Sequence, residues 1–177
     1  MIPQLQTERL LLRGLRQEDF EDYARFHADP DVVRYLSRSP VSRTDAWRSL
    51  AVMIGHWALR GYGMWGVERK SDGAFVGRVG LWNPEGWPGL EVGWTLGKEF
   101  WGQGYATEAA RAAMDFAFIT QDISRLLSVI DVENLASQRV AERLGETRGE
   151  RRAIEYMDKV FTTDVWSISR EEWARKT

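Results

Sequence analysis

The middle of the chain constrains the fold most. There an apolar strand, a glycine loop, an alanine-faced helix and a second apolar strand follow one another. Residues 90–96 (LEVGWTL) read as a strand, and residues 97–104 (GKEFWGQG) interrupt it. Residues 105–118 then read as a helix with Ala106, Ala109, Ala110, Ala113 and Ala117 along one face. Side chains this small let a helix lie close to a sheet. Residues 125–130 read as the next strand. A strand–helix–strand connection returns to the same sheet, so 90–96 and 125–130 are expected to be parallel neighbours.

The flanking segments read differently. Residues 8–13 form a first strand. Gln17, Glu18 and Asp19 open a helix whose face is Phe20, Tyr23, Ala24 and His27. Asp29-Pro30 should end it, because a residue before proline avoids the α region. His27 reads as a buried position on that face. Ser42 and Asp45 resemble a capping box for a second helix. Its apolar stripe is Ala46, Leu50, Met53, Ile54 and Trp57, and Gly61 and Gly63 stop it. From there the period becomes two. Strands at 65–69 and 75–82 flank a turn at Ser71, Asp72 and Gly73, a hairpin pattern, and 83–89 is a loop. Beyond the crossover come a helix at 135–144 ended by Gly145, then paired strands at 153–156 and 160–169 around residues 157–159. The order is β-αα-βββ-α-β-α-ββ. It predicts an α+β fold with a mixed, mostly antiparallel sheet and one central β-α-β crossover, in a single domain over 1–177.

Composition narrows the chemistry. The 177 residues include no cysteine, which excludes disulfides, thiolate metal sites and a cysteine nucleophile. Two histidines cannot build a His-rich metal site, so no metal is expected. A net charge of −2 argues against a general nucleic-acid partner. No run approaches the ~18 apolar residues of a membrane span, and no leader pattern precedes Leu10. A cytoplasmic protein is the expectation.

Three glycine patterns invite a phosphate. Gly61-Tyr-Gly63-Met-Trp-Gly66 is literally G-x-G-x-x-G, but it follows a helix and opens a strand, the reverse of a dinucleotide fingerprint. The segment from Gly93 to Lys98 is one residue short of a P-loop, and Glu99 stands where Ser or Thr must hold Mg²⁺. The third, Trp101-Gly102-Gln103-Gly104-Tyr105-Ala106-Thr107, lies between a strand and a helix. Its amides are free at a helix N-terminus, where the dipole favours an anion. On local pattern alone, a tight turn built of small residues would look the same.

In its larger context this loop is recognisable. The chain resembles the GNAT acetyltransferase superfamily, and within it the ribosomal-protein N-terminal acetyltransferase (RimJ/RimL-like) branch. The family loop has the form R/Q-x-x-G-x-G/A; here it reads Trp101-x-x-Gly104-x-Ala106, continued by Thr107-Glu108-Ala109. The resemblance extends to Thr7-Glu-Arg-Leu-x-Leu-Arg13, Gly77-Arg-Val-Gly80-Leu, Asn134-x-x-Ser137 with Leu144-Gly145, Asp164-Val-Trp and Glu171-Glu-Trp173, covering nearly the whole chain. Two departures stand out. Ala141 occupies a position where many members carry a Tyr acid, and Glu146 one where a large apolar residue is usual.

The resemblance implies transfer of an acetyl group from acetyl-CoA to a primary amine: a protein N-terminus, an amino acid or a small amine. It implies that the amides of residues 102–107, with Trp101, Gln103 and Tyr105, cradle the pyrophosphate. Trp94, Thr95 and Leu96 would pair with the pantetheine arm on a bulged, splayed strand, and Asn134 would contact it from the far side or simply cap a helix. The reaction needs a base, and Glu91 is an acidic residue in an apolar strand sharing a face with 93 and 95. An ordinary salt-bridged Glu would fit the same position. Ser137 matches a hydroxyl near the sulfur. Tyr62, Met64, Trp82 and Trp87 could line an acceptor pocket or be core. Arg148, Arg151 and Arg152 read as a solvated face or as a selector for an acidic group beside the amine. The resemblance leaves a homodimer open. The reading from another class is a non-catalytic acyl-CoA-binding module, which would keep the loop without needing Glu91 or Ser137.

Overall fold

The alternation in the hairpin region determines how the sheet is assembled. The computed structural model describes residues 1–156 and 159–176, with the backbone alone at Tyr156. Eight strands form one sheet: β1 (Leu5–Gln6), β2 (Leu10–Gly14), β3 (Met64–Arg69), β4 (Phe75–Trp82), β5 (Glu91–Leu96), β6 (Arg125–Asp131), β7 (Thr147–Tyr156) and β8 (Lys159–Ser169). Their spatial order is β1-β2-β3-β4-β5-β6-β8-β7, antiparallel everywhere except β5–β6. Six helices accompany them: α1 (Phe20–Ala28), α2 (Pro30–Val33), α3 (Arg43–Arg60), α4 (Tyr105–Thr120), α5 (Leu135–Leu144) and α6 (Arg170–Ala174). The mixed α+β class and the central crossover are as the sequence predicts. The expected turn at Met157 and Asp158 lies outside the described residues.

Helix α4 packs on β4 and β5. Ala109, Ala110, Ala113 and Ala117 are all at 0% exposure, in one core cluster with Val79, Leu81 and Val92. Four adjacent positions lacking any group beyond Cβ bring the helix backbone close to the sheet, so the start of α4 sits beside the end of β5.

Several local expectations are corrected. Pro30 does not merely end a helix. It occupies the first turn of α2, with Asp29 as N-cap accepting from the Asp31 amide at 2.8 Å. Ile54 is 38% exposed, off the buried stripe of Ala46, Leu50, Met53 and Trp57. Strand β7 begins at Thr147, six residues earlier than the alternation suggests, because its polar side chains hide the period. Helix α6 was not anticipated. Ser169 and Glu172 form its capping box, a four-residue signal too short to stand out.

The crossover strands are parallel neighbours, but only briefly. Glu91 pairs with Leu127, whose amide donates to Leu90 C=O at 3.0 Å. Beyond that pair β6 continues with β8, from Arg125↔Ser169 to Asp131↔Thr163, while β5 stays with β4. The strands therefore part into a wedge. The bulge implied for β5 is absent against β4: that register runs unbroken from Gly77↔Leu96 to Trp82↔Glu91. The register shifts lie instead at Val67/Glu68 in β3 and at Arg148/Arg151 in β7.

Replacing Ala113 by Leu forces a larger side chain into the α4–sheet contact. We expect a loss of about 1–3 kcal/mol, read as a lower urea midpoint at unchanged slope.

Candidate active site

The wedge opens on both sides of β5. An inner cavity, on the side of α1 and α3, is bounded by His27, Met53, Arg78, Trp82, Trp87 and Glu91. An outer cleft runs from Trp94, Thr95 and Leu96 to the start of α4 and along α5. Trp94, Thr95, Asn134 and Ser137 line both.

The outer cleft is built on the glycine loop. Gly102 and Gly104 have φ of +74° and +81°, a left-handed conformation that L side chains rarely adopt. A Cβ at Gly102 would meet nothing within 4 Å, so conformation rather than crowding requires glycine there. The loop is held from behind by the N-terminal segment. Arg9 donates to Gln103 C=O at 2.9 Å and forms an ion pair with Glu108 at 2.6 Å, and Thr7 Oγ1 donates to Glu108 at 2.6 Å. Thr7, Arg9 and Glu108, quoted above as separate stretches of sequence, are thus one brace.

Gly102, Gly104, Tyr105, Ala106 and Thr107 line the cleft, as does Trp101, whose indole N–H donates to Leu96 C=O at 2.9 Å. Gln103 does not. It lines a neighbouring groove, and its side-chain amide donates to Glu99 C=O at 3.0 Å. Thr107 Oγ1 is buried without a hydrogen-bond partner, and the first-turn amides of α4 have no carbonyl one turn back. This donor set suits a phosphate.

The wedge-facing edge of β5 can be read by alternation. The carbonyls of Leu90, Val92 and Leu96 accept from Leu127 N, Ser128 Oγ and Trp101 Nε1. Backbone groups alternate sides along a strand, so Trp94 N–H and C=O also point into the wedge. Across it, Asn134 caps α5, its side chain accepting from the Ser137 amide at 3.1 Å. Ser137 Oγ accepts from Trp94 Nε1 at 3.1 Å. The side chains of Trp94 and Ser137 therefore close on each other between the two compartments.

Glu91 lies where the strands part. It is buried and accepts from Trp87 Nε1 at 2.6 Å and from Val129 N at 3.4 Å. Burial pushes its carboxyl up to about 8, against the opposing pull of the Trp87 bond. A Cβ at Gly93 would come to 3.1 Å from Met64 Cε, so the missing side chain makes room for the end of Met64 beside the Glu91 carboxyl.

The Acetyltransferase (GNAT) domain family matches residues 9–147. The chain belongs to the GNAT acetyltransferase family. The Bacillus subtilis protein YkkB is 35% identical over 80% of this chain and 83% of its own length. An acetyltransferase from Agrobacterium tumefaciens, 32% identical, superposes with a TM-score of 0.83 over 95% of each chain. RimL, a ribosomal alpha-N-protein acetyltransferase solved in complex with coenzyme A, superposes with a TM-score of 0.77 at 19% identity, over 94% of this chain and 98% of its own; that likeness is one of fold. The protein is thus an acetyl-CoA-dependent acetyltransferase.

Other expected positions of this acetyltransferase fall differently. Trp82 and Trp87 line the inner cavity, with Met64. Tyr62 does not; it packs edge-on against His56 at 5.5 Å, which in turn stacks on Trp82 at 4.6 Å. The arginines of the patch are each paired, although three of them share two carboxylates. Arg148 and Arg151 both bind the buried Asp164, and Arg152 pairs with Glu150. His27 lines the inner cavity, its Nδ1 2.8 Å from Tyr23 C=O. Burial and the charge of Arg78 push it down to about 4, so it is neutral at pH 7.

One residue of the site, Arg78, escaped the sequence reading; it lines the inner cavity. Glu146, noted there only as a departure from the family pattern, is buried behind Ser128, and burial pushes it up to about 8, with the Glu91 charge adding to the shift. Ser128 Oγ lies 2.9 Å from Val92 C=O and 3.0 Å from Glu146 Oε1. One hydroxyl proton cannot serve both. With Glu146 neutral, its own proton goes to Ser128, which donates to Val92.

Glu91 and Glu146 make stability fall as pH rises. Each binds its proton more tightly folded than unfolded, so stability is lost from the ordinary carboxylate range up to about pH 8. His27, lowered to about 4, acts in the opposite sense only below its ordinary value near 6.5. The steepest loss is therefore expected between about pH 6.5 and 8. Urea midpoints across that range check it, and Glu146→Gln should flatten the slope.

Proposed function

We propose that this acetyltransferase moves the acetyl group of acetyl-CoA to a primary amine of a protein N-terminus, an amino acid or a small molecule. The amine attacks directly in a ternary complex. The observation that carries the reading is the buried Glu91 in the inner cavity, one step from the point where Trp94 and Ser137 divide that cavity from the phosphate-suited cleft.

Acetyl-CoA supplies a thioester carbonyl. The loop amides of residues 102–107 and Thr107 Oγ1 hold the pyrophosphate, while Trp94, Thr95 and Leu96 on one side and Asn134 on the other guide the pantetheine arm. Glu91 takes a proton from the ammonium, directly or through water. The nitrogen lone pair then forms the C–N bond as the C–S bond breaks, and the second proton that the nitrogen sheds passes to the departing thiolate, to which Ser137 Oγ donates a hydrogen bond. A carboxyl near 8 is well matched to an amine of pKa ~8–10, since neither gives up the proton at great cost. With no cysteine in the chain, no cysteine acyl-enzyme intervenes. The sequence resemblance to ribosomal-protein N-terminal acetyltransferases makes a protein N-terminus one acceptor class to test.

Thiol release from acetyl-CoA against an amine panel tests the reading. kcat/KM should rise with pH through about 8. Glu91→Gln should abolish that limb and lower kcat/KM by about 10²-fold or more, and Ser137→Ala by about 10-fold. Acetyl-CoA binding by calorimetry with no amine turned over, and no effect of Glu91→Gln, would overturn it in favour of a coenzyme-binding module.

A further inference from the structure

The inner cavity holds a cation with nothing to answer it. Arg78 projects from β4 among Met53 and Ser49 of α3 and His27 of α1. Its Nε is buried without a hydrogen-bond partner, and its Nη1 reaches only the sulfur of Met53, at 3.4 Å. Among the described residues no carboxylate lies within ion-pair distance of it. The other acidic groups of the cavity are spent or distant. Asp45 binds Ser42 and Arg48, and Asp131 binds the Glu133 amide and faces Arg38. Glu91 binds Trp87 and Val129. A partly buried guanidinium left unpaired is costly, and a planar fork of donors suits a carboxylate.

Strand register says where such a carboxylate would sit. Along one face of the β4–β5 pair the partners are Arg78 with Thr95, Gly80 with Gly93, and Trp82 with Glu91. One end therefore carries a cation and the other a carboxyl, about 13 Å apart along the strands by backbone rise. Of the two glycines between them, Gly93 lines the cavity, with the end of the Met64 side chain over it.

We infer that the inner cavity selects an acceptor amine that also bears a carboxylate, docked on Arg78 and passing Met64 and Gly93 so that its nitrogen faces Glu91. The arginine patch of β7, the earlier candidate for this selection, is already paired; Arg78 takes its place. This inference rests on the amine acetylation proposed above and gives that acceptor its chemical class.

The test compares α-, β- and γ-amino acids with their carboxamides as acceptors, read by thiol release from acetyl-CoA. Wild type should favour at least one acid over its amide by 30-fold or more in kcat/KM. Arg78→Gln should bring that ratio to within threefold of one, and Arg78→Lys should leave an intermediate ratio. Thermal melting of both variants separates loss of selection from loss of fold. Amides used as well as acids by wild type, or a ratio untouched in Arg78→Gln, would overturn the inference while leaving amine acetylation standing. If no amine of either kind is acetylated, the amino-acid acceptors of the proposed function fail. Calorimetry with the amino acids then decides the Arg78 site alone: binding to wild type and not to Arg78→Gln supports it, and equal or absent binding overturns it.

Discussion

The parting of β5 from β6 after a single ladder pair is the constraint on which the site depends. A strand edge inside a sheet normally satisfies its amides with its neighbour. Here Glu91↔Leu127 is paired, and beyond it β5 faces a gap. The protein closes part of this deficit with side chains: Ser128 serves Val92 C=O and Trp101 serves Leu96 C=O. What is left, around Trp94, is a short length of strand edge inside the molecule. An extended ligand can pair with it much as another strand would. The gap is stable because both strands are fully engaged on their far sides, β5 with β4 and β6 with β8.

The same parting sets the electrostatics. Two carboxyls, Glu91 and Glu146, lie near the fork, too far from water to ionise at ordinary acidity. His27 is neutral in the same cavity. Near pH 7 the inner cavity thus carries Arg78 as its unpaired charge. A low dielectric strengthens the field of that charge toward Glu91. The aromatic rings of Trp82 and Trp87 exclude water, and the Trp87 N–H orients the carboxyl it helps to bury.

Much of this was legible in the amino-acid sequence, for particular reasons. The alanine face at 106–117 and the loop Trp101–Thr107 sit in adjacent segments, so local pattern defines both. Glu91 was conspicuous as a charge in an apolar strand. Asn134 combines a helix start with a place at the cleft, which the family resemblance implied. Other features were hidden for equally concrete reasons. Gln103 lies inside the loop motif, yet its side chain turns back to Glu99. Tyr62 sits among the right neighbours in sequence but beside His56 in space. Arg148 and Arg151 looked like a free basic patch because Asp164, their shared partner, is on the adjacent strand.

By itself, the amino-acid sequence determined the α+β order, the crossover, the glycine loop at the start of the crossover helix, and the lack of any cysteine to form an acyl-enzyme. Each follows from residue type and short-range spacing. Only the tertiary structure decided how far β5 and β6 stay together, which bulges exist, and which charges find partners. Ion pairing and burial depend on residues far apart in the chain: Arg78 is exceptional because of what does not approach it, and Glu146 because Ser128 does. No local pattern encodes either.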